Sequence, residues 1–477
     1  MARHLRKSLR ANLTHRYNLG CGLKPKREVV QVVHCGLERP VTLGGQHLPF
    51  FQRLQYNAVR FHPGNLELAS VRFEFQGLSP FQQGSNSLID IFHGGGVMTR
   101  ELRMGGQALY YGMNALSHNV IMADRKKLKS ANGMYLGSTG SGKSFAAKRE
   151  LINVFLATSD RIVIVDPMGE YSPLVRRLGG QVIEIAPDSP HHINPMDIQM
   201  GLNDEDSPLS MKADFLLSLC ELVVGGKDGL QPIEKTVIDR CVRLVYRELA
   251  LGLEGAKMPL LQDLYEELLK QPEPEAKRVA TALELYCTGS LNLFNHPTNV
   301  DLSSRVVCIV LKGLGENLRK IAMHVTNEFV TSAVHTNYQN GAATWCYFDE
   351  FHILLRDPLT ASYFVAVWKM LRKKGCVPSA LTQNVKDLLA SREIENILDN
   401  TDFLVLLSQA QSDRAIIAKQ LGISEHQLSY ITHSNSGEGL LFYGNVTIPF
   451  VDRFPKGEIY NLLTTRPEDI ANDQRNE

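Results

Sequence analysis

The sequence predicts an α/β fold with a parallel-rich sheet and an inserted all-α subdomain. From residue 133 onward, short β-branched runs alternate with longer amphipathic stretches, as in parallel sheets covered by helices. The strand-like runs are RIVIVD, QVIEIA, RVVCIVLK, TWCYFDE and DFLVLLS. From about residue 204 to 290, apolar residues instead recur at three- and four-residue spacing, which predicts helices. The stretch QPEPEAK is expected to separate two of these helices.

The composition is that of a globular chain with roughly two to three domains. The 477 residues are 44% hydrophobic and 21% charged, with a net charge of +1. The 8 cysteines show no CxxC spacing and lie mostly in apolar runs, which favours buried thiols in a reducing compartment. No stretch reaches the ~18 apolar residues of a membrane helix, and the start lacks a signal-peptide core. These features predict a cytoplasmic protein that reaches a membrane only through partners.

The N-terminal segment, residues 1–97, begins with a polybasic arm. No acidic residue precedes Glu28, whereas the arm carries Arg3, Arg6, Lys7, Arg10, Arg16, Lys24, Lys26 and Arg27. Such an arm can bind nucleic acid or anionic lipid, or can be a solvated terminus. Residues 31–97 have weak periodicity, and short strands or loops are expected there.

The segment GSTGSGKS predicts a phosphate-binding loop between a strand and a helix. It fits G-x-x-x-x-G-K-[ST], with Gly137, Gly142, Lys143 and Ser144 at the fixed positions. Side chains are small because backbone N–H groups must approach phosphate oxygens closely, and the helix N-terminus adds partial positive charge. Lys143 is expected to reach the β- and γ-phosphates, and Ser144 to hold Mg²⁺. The candidate nucleotide-binding residues are Gly137, Ser138, Thr139, Gly140, Ser141, Gly142, Lys143, Ser144 and Phe145.

The run TWCYF followed by Asp349 and Glu350 predicts a metal and water site at the end of a buried strand. Asp349 is expected to bind Mg²⁺, mostly through water, and Glu350 to orient and deprotonate the attacking water. The alternative is an exposed acidic pair. The phosphate-binding loop elsewhere in the chain favours the catalytic interpretation.

Two more predicted strands end in polar residues. RIVIVD ends in Asp166, followed by Glu170, and this strand is expected beside the phosphate-loop strand or one strand away. The two acids either contribute to the nucleotide site or belong to a simple turn shaped by Pro167 and Gly169. Gln383 follows another strand, at the edge where ligands bind to parallel sheets, and is expected to sense the γ-phosphate.

A basic triplet, residues 372–374, ends a predicted helix before Gly375. Cations are favourable at a helix C-terminus, so the triplet can be a cap. It can equally hold an arginine finger for a neighbouring subunit, with Arg372 as the candidate.

Towards the C-terminus, GEGLLFYGNVTIPFVDRF predicts a hairpin with its turn at Gly444 and Asn445, which is expected to close one edge of the sheet. Two short helices precede it. Arg414 lies near the start of the first helix and is expected to pair with an acid or with a neighbouring subunit's phosphate. Residues 461–477 are predicted to be disordered.

Taken in order, these motifs resemble the conjugative ATPases of type IV secretion, the TraC/TraE/CagE-like group, most closely the form found on conjugative elements of Gram-positive bacteria. The segments that carry the resemblance are YLGSTGSGKSFAAKRE, VDPMGEYSPLV, HINPMD, QPEPEAKRVATALELYCTGSLNLFNHPTNVD, YFDEFH and RKKGCVPSALTQNVKDLL. The resemblance implies a RecA-like P-loop NTPase core. We place its two parts at residues 98–200 and 296–460, with the all-α subdomain at residues 201–295.

The resemblance also implies a function. It implies hydrolysis of ATP with Mg²⁺, hexamer formation and peripheral attachment to the cytoplasmic membrane face. The work would be channel assembly and transfer of DNA or protein, together with other type IV secretion components. It favours Arg372 as a trans-acting finger. Family members carry a long N-terminal domain, most of which is expected to be lacking here, because the motor begins near residue 98.

Two other functions are open. A DNA-pumping coupling-type ATPase normally begins with membrane-spanning helices, which the sequence lacks, although contacts of the insertion with single-stranded DNA are compatible with it. A nucleotide-binding scaffold without useful turnover is the second. Competent residues at the expected catalytic positions argue against a scaffold; these are Lys143, Glu350, Gln383 and Arg372.

Overall fold

The computed structural model describes residues 97–198, 208–225, 229–301, 303–353, 358–383, 397–398, 400–432 and 434–465, and strand segments nearer the N-terminus. The polybasic arm, Asn384 and residues 466–477 lie outside the described residues. The chain divides into two compact units, residues 1–82 and 83–477. The first unit contains the strands β1 (Val30–Val32), β2 (Thr42–Leu43), β3 (Gln46–His47), β4 (Tyr56–His62) and β5 (Asn65–Val71). β1, β4 and β5 form one antiparallel sheet, and β2 pairs with β3.

The second unit opens with the antiparallel pair β6 (Ile91–Gly94) and β7 (Val97–Arg100). Its main sheet contains β8 (Leu109–Asn114), β9 (Val120–Ala123), β10 (Gly133–Leu136), β11 (Arg161–Asp166), β12 (Gln181–Glu184), β13 (Val306–Val310), β14 (Thr344–Phe348), β15 (Cys376–Thr382), β16 (Phe403–Leu406), β17 (Glu438–Tyr443) and β18 (Val446–Val451). The strand order is β12-β13-β11-β14-β15-β10-β16-β17-β18-β8-β9. Strands from β12 to β16 in this order are parallel, and the others are antiparallel. The predicted parallel-rich sheet is therefore confirmed.

The helices cover both faces of this sheet. They are α1 (Lys143–Ala157), α2 (Ser172–Arg177), α3 (Pro208–Val224), α4 (Pro232–Val245), α5 (Arg247–Ala250), α6 (Leu261–Leu269), α7 (Pro274–Cys287), α8 (Glu316–Gln339), α9 (Pro358–Lys373), α10 (Gln411–Leu421), α11 (Glu425–Thr432) and α12 (Glu458–Leu463). Between β12 and β13 the described residues form helices α3 to α7 and no strand, as the sequence predicts. Within the described ranges, no helix is both long and apolar enough to cross a membrane.

The parallel strands are continuous apolar runs because each face of the sheet is covered by a hydrophobic core. In β11, Val163 faces one hydrophobic core and Ile164 faces the other, because successive side chains point to opposite sides of a sheet. The first core includes the helical insertion, for example Leu216 and Leu264. The second includes α1, for example Leu151. The insertion and the sheet therefore share one continuous core.

The hairpin prediction was correct in its pairing and wrong in its position. β17 and β18 pair around a turn at Gly444, where φ is 55°. The hairpin does not close the sheet, however, because β18 pairs further with β8 and β9 forms the edge. Strands β8 and β9 satisfy the backbone groups that an edge hairpin would leave exposed.

One other expectation about the C-terminal part was wrong, and one stays a prediction. Among the described residues, Arg414 donates to two backbone carbonyls, those of Gln409 (3.1 Å) and Thr432 (2.9 Å), and its pairing with a neighbouring subunit's phosphate stays a prediction. Thr432 is the last residue of α11, where carbonyl groups carry partial negative charge. Residues 461–463 are helical, and Leu463 is fully buried, so the predicted disordered tail does not begin at residue 461.

A buried ion pair ties α1 to the centre of the sheet. Arg125 Nη1 donates to both carboxylate oxygens of Glu150 at 3.0 Å and to Ser379 Oγ at 2.8 Å. Tyr111 and Tyr347 donate their hydroxyls to the same carboxylate at 2.5 and 2.9 Å. The pair is almost completely buried and links β8, α1, β14 and β15.

Replacing Glu150 with alanine is expected to lower the free energy of unfolding by about 3–5 kcal/mol, because it leaves a buried, unpaired guanidinium. Urea denaturation followed by circular dichroism measures this change. Asp239→Ala is the matched control, since Asp239 pairs with Arg243 on the exposed surface of α4 and its loss is expected to change little. Equal effects of the two substitutions would contradict a stabilising role for the buried pair.

Candidate nucleotide-binding site

The phosphate-binding loop connects β10 to α1 as predicted, and α1 begins at Lys143. Gly142 has a φ of 97°, and a Cβ there would lie 2.9 Å from Ser436 Oγ, so both the conformation and the space require glycine. A Cβ on Gly137 would lie 2.3 Å from Ser141 Oγ. This hydroxyl is buried and has no hydrogen-bond partner within the described part of the chain. The loop is therefore tightly folded, and it contains the Ser141 hydroxyl, a hydrogen-bond donor without a partner among the described residues.

The strand order brings the second motif to the same edge of the sheet. β15 lies between β10 and β14, so the carboxyl ends of all three strands are neighbours. Lys143 Nζ lies 3.8 Å from Asp349 Oδ1 and 4.0 Å from Glu350 Oε1. All three side chains are mostly buried.

Gln383 joins the phosphate loop to Glu350. Its Nε2 donates to Glu350 Oε1 at 3.2 Å, and its Oε1 accepts from Thr139 Oγ1 at 2.6 Å. Gln383 therefore lies between the phosphate loop and Glu350. Through these two hydrogen bonds, a movement of the loop would shift Glu350, and a movement of Glu350 would shift the loop.

Burial raises the pKa of Asp349 to about 7, although the charge of Lys143 and the hydrogen bond from Glu350 N oppose this shift. An aspartate in the unfolded chain titrates near 3.9. Between about pH 4 and pH 7, the Asp349 carboxyl is therefore protonated to a greater extent in the folded state than in the unfolded state. The contribution of Asp349 to stability is most favourable at low pH and declines as the pH rises through this window.

The stability of the protein without nucleotide and Mg²⁺ is thus expected to fall, relative to an Asp349→Asn variant, between about pH 4 and pH 7. The asparagine removes the titrating proton and keeps the shape. Urea denaturation of both proteins at the two pH values measures the difference. A constant difference between them would contradict the raised pKa.

Asp166 is at the same edge but further away than the sequence predicts, because two strands, β15 and β14, lie between β10 and β11. Its carboxylate is completely buried and accepts from the backbone N–H groups of Met168 (3.2 Å), Gly169 (2.8 Å) and Tyr171 (2.8 Å). Burial raises its pKa, and these hydrogen bonds oppose the shift. This geometry is that of the turn alternative. Glu170, in the same turn, is half-buried.

Arg372 lies away from the other candidate residues. It is exposed in the last turn of α9, which leads into the amino end of β15, whereas the phosphate loop lies beyond the carboxyl ends of the strands. At about 3.3 Å per residue, the seven residues of β15 separate these edges by about 20 Å. Arg372 therefore does not reach the loop of its own subunit.

The structure adds contacts that sequence reasoning missed. Gly437 N donates to the carbonyl of Ser141 at 3.1 Å, so the segment before β17 packs against the phosphate loop. Lys148 on α1 is buried among Asp166, Glu170 and Asp349, and burial lowers its pKa. The spacing of Lys148 from Lys143 carries no recognisable signal for such a contact.

Phe145, which follows Ser144 on α1, also has neighbours that the sequence does not predict. Its ring lies 5.9 Å from that of Phe454 and 5.4 Å from that of Tyr460. The C-terminal helix α12 thus packs beside the first turn of α1. Ser144 is half-buried in the same turn.

The residues present fit a nucleotide with Mg²⁺. The phosphate loop supplies backbone N–H groups and the unpaired Ser141 hydroxyl, and Lys143 supplies a positive charge. Ser144 and Asp349 supply the oxygen ligands that Mg²⁺ prefers. A carboxylate, an amide and a lysine converge at the edge of the sheet where ligands bind, which suits hydrolysis of a phosphoanhydride.

Comparison with known proteins agrees with this geometry. A family model described as the TraG P-loop domain matches residues 116–456. The structure of VirB4 of Thermoanaerobacter pseudethanolicus aligns with a TM-score of 0.66 at 23% identity, covering 75% of this chain and 99% of that chain. The plasmid coupling protein TrwB in complex with ADP and Mg²⁺ aligns with a TM-score of 0.51 at 15% identity, covering 74% and 91%. These likenesses confirm the predicted fold. No curated protein sequence matches the chain significantly.

Proposed function

Because the chain belongs to the TraG P-loop domain family, we propose that it is an ATP-hydrolysing motor of a conjugative type IV secretion system. Its work is to energise channel or pilus assembly and the transfer of DNA or protein. One observation carries the proposal: Lys143, Asp349, Glu350 and Gln383 meet at the carboxyl edge of the parallel sheet. Family membership supports nucleotide hydrolysis, and ATP as the nucleotide is part of the proposal.

The residues have separate roles in this proposal. The backbone N–H groups of Gly137 and Ser138 donate to the carbonyls of Thr382 and Ser408. The N–H groups of the loop beyond Ser138 and the Lys143 ammonium bind the β- and γ-phosphates. Ser144 and Asp349 hold Mg²⁺, which would neutralise phosphate charge. Glu350 accepts a proton from the attacking water. Gln383 senses the γ-phosphate through its hydrogen bonds to Thr139 and Glu350.

Phe145, Asp166 and Glu170 have supporting roles. Phe145 contacts the nucleotide beside Ser144, on the side where Phe454 and Tyr460 pack. Asp166 shapes the turn that places Glu170 near Lys148 and Asp349, so its effect on the nucleotide is indirect.

The proposed motor works as a ring, and a hexamer is the proposed state. Since Arg372 does not reach its own phosphate loop, its catalytic role requires a neighbouring subunit. Other type IV secretion components are the proposed partners, with peripheral attachment to the cytoplasmic face of the membrane through them. Single-stranded DNA is a further proposed partner.

Phosphate release from ATP and Mg²⁺ by the purified chain tests the proposal. We expect steady turnover that Lys143→Ala abolishes while the protein stays folded, because the ammonium that binds the phosphates is lost. Folded wild-type protein with no turnover above this variant would contradict a motor and favour the scaffold alternative. Turnover stimulated strongly by single-stranded DNA would favour the coupling-type alternative.

A further inference from the structure

The segment after Glu350 forms a short 3₁₀ helix, Phe351–Ile353. Packing against aromatic side chains of α9 fixes its position. Phe351 is completely buried, with its ring 5.0 Å from Phe364 and 5.6 Å from Trp368. The backbone N–H of Ile353 donates to the Glu350 carbonyl at 2.9 Å. Phe351 therefore anchors the turn that carries His352.

Glu350 is held in a conformation that non-glycine residues rarely adopt, with a φ of 47°. Its Oε1 accepts from Gln383 at 3.2 Å. Its Oε2 lies 3.2 Å from His352 Nδ1. Both of these last atoms are buried, and neither has a hydrogen-bond partner among the described residues, because their 3.2 Å contact lacks the alignment of a hydrogen bond. The imidazole and the carboxylate are thus left to satisfy each other.

We propose that His352 is a positioning residue for Glu350: its Nδ1–H donates to Oε2 and holds Oε1 toward the phosphate loop, where the attacking water must lie. The proposal rests on the proposed hydrolytic function, in which Glu350 is the base. His352 itself does not touch the phosphate loop in any contact of the described residues. It acts through the carboxylate.

The chemistry of the two groups determines the tautomer. An ionised carboxylate only accepts hydrogen bonds, so Nδ1 must carry the proton. A neutral His352 then has its lone pair on Nε2. The groups that lie around the Glu350 carboxylate are Lys143, Asp349 and the imidazole of His352.

Three substitutions at His352 separate positioning from packing. The asparagine amide nitrogen lies near the place of Nδ1, and the glutamine amide nitrogen lies near the place of Nε2. His352→Ala and His352→Gln are expected to lower kcat by about 10- to 100-fold, the range for a lost hydrogen bond to a charged group. The KM for ATP should change little. His352→Asn should recover most of the rate, because it keeps the donor to Oε2.

Binding of a fluorescent ATP analogue and circular dichroism show that each variant is folded. Equal losses in all three variants, or a rise in KM without a change in kcat, would overturn the positioning role. A wild-type protein that does not hydrolyse ATP would instead refute the proposed function. The contact between His352 and Glu350 is then tested by a measurement that needs no turnover.

That measurement is the tautomer of His352 by nuclear magnetic resonance of ¹⁵N-histidine-labelled protein. The chain has 15 histidines, and the signal missing from His352→Asn identifies this one. We expect a protonated Nδ1 in the wild type and a shift toward the Nε2–H tautomer in Glu350→Ala. A signal from an Nε2–H tautomer that Glu350→Ala leaves unchanged would overturn the inference.

Discussion

Replacing Glu350 with glutamine is expected to lower kcat for ATP hydrolysis by about 10²- to 10⁴-fold, the usual contribution of a general base. The amide keeps the size of the side chain and cannot accept the proton of the attacking water. Binding of ATP should persist, because Lys143 and the loop backbone are unchanged. Single-turnover hydrolysis and analogue binding measure the two effects separately.

Glu184→Gln is the matched control for this substitution. Glu184 also ends a parallel strand at the carboxyl edge of the sheet, but it is exposed and pairs with Arg176 on the surface. Its replacement should leave kcat unchanged. A Glu350→Gln variant that hydrolyses ATP as fast as the control would mean that another group activates the water.

Replacing Arg372 with alanine is expected to lower the turnover of the assembled protein by about 10³- to 10⁵-fold, the effect of losing an arginine finger. The residue is exposed at the amino edge of the sheet, about 20 Å from its own loop along β15. Its guanidinium can therefore stabilise the transition state only in a neighbouring subunit. Steady-state turnover at protein concentrations that support assembly measures this loss.

Lys373→Ala distinguishes a finger from a helix cap. Lys373 is the next residue, exposed in the same last turn of α9, and so interacts equally with the helix dipole. A finger predicts that only Arg372→Ala removes turnover. A cap predicts that both substitutions change stability slightly and leave turnover intact, and that outcome would contradict the trans-acting role.

The local parts of the site could be predicted from the sequence because their chemistry is contiguous. The phosphate loop requires glycines, a lysine and a serine within eight residues, and a strand and helix flank it. Asp349 and Glu350 follow a buried strand directly. Gln383 was predicted from its place at a strand end, and its bridge from Thr139 to Glu350 gives that position a physical basis.

The order of strands could not be predicted, because periodicity describes each strand and not its neighbours. Asp166 is the last residue of β11, the first strand after α1, but β14 and β15, which come much later in the chain, lie between β11 and β10. The same limit explains why the hairpin of β17 and β18 was expected at the edge. Its partner β8 lies more than three hundred residues earlier in the sequence.

His352 and Lys148 show a second limit. Each lies within five residues of a recognised motif, yet a histidine or lysine there is compatible with an exposed surface. Burial against Glu350 for the one, and among Asp166, Glu170 and Asp349 for the other, depends on packing from distant segments. Such contacts are properties of the folded chain.

The most direct test of the motor is its ATP turnover per subunit over a range of protein concentrations, with Lys143→Ala as the control. An assembly-dependent motor predicts turnover that rises with concentration as subunits associate and that is absent from the control at every concentration. Turnover per subunit that stays constant while sedimentation shows the chain assembling would contradict the claim that one subunit completes the site of the next.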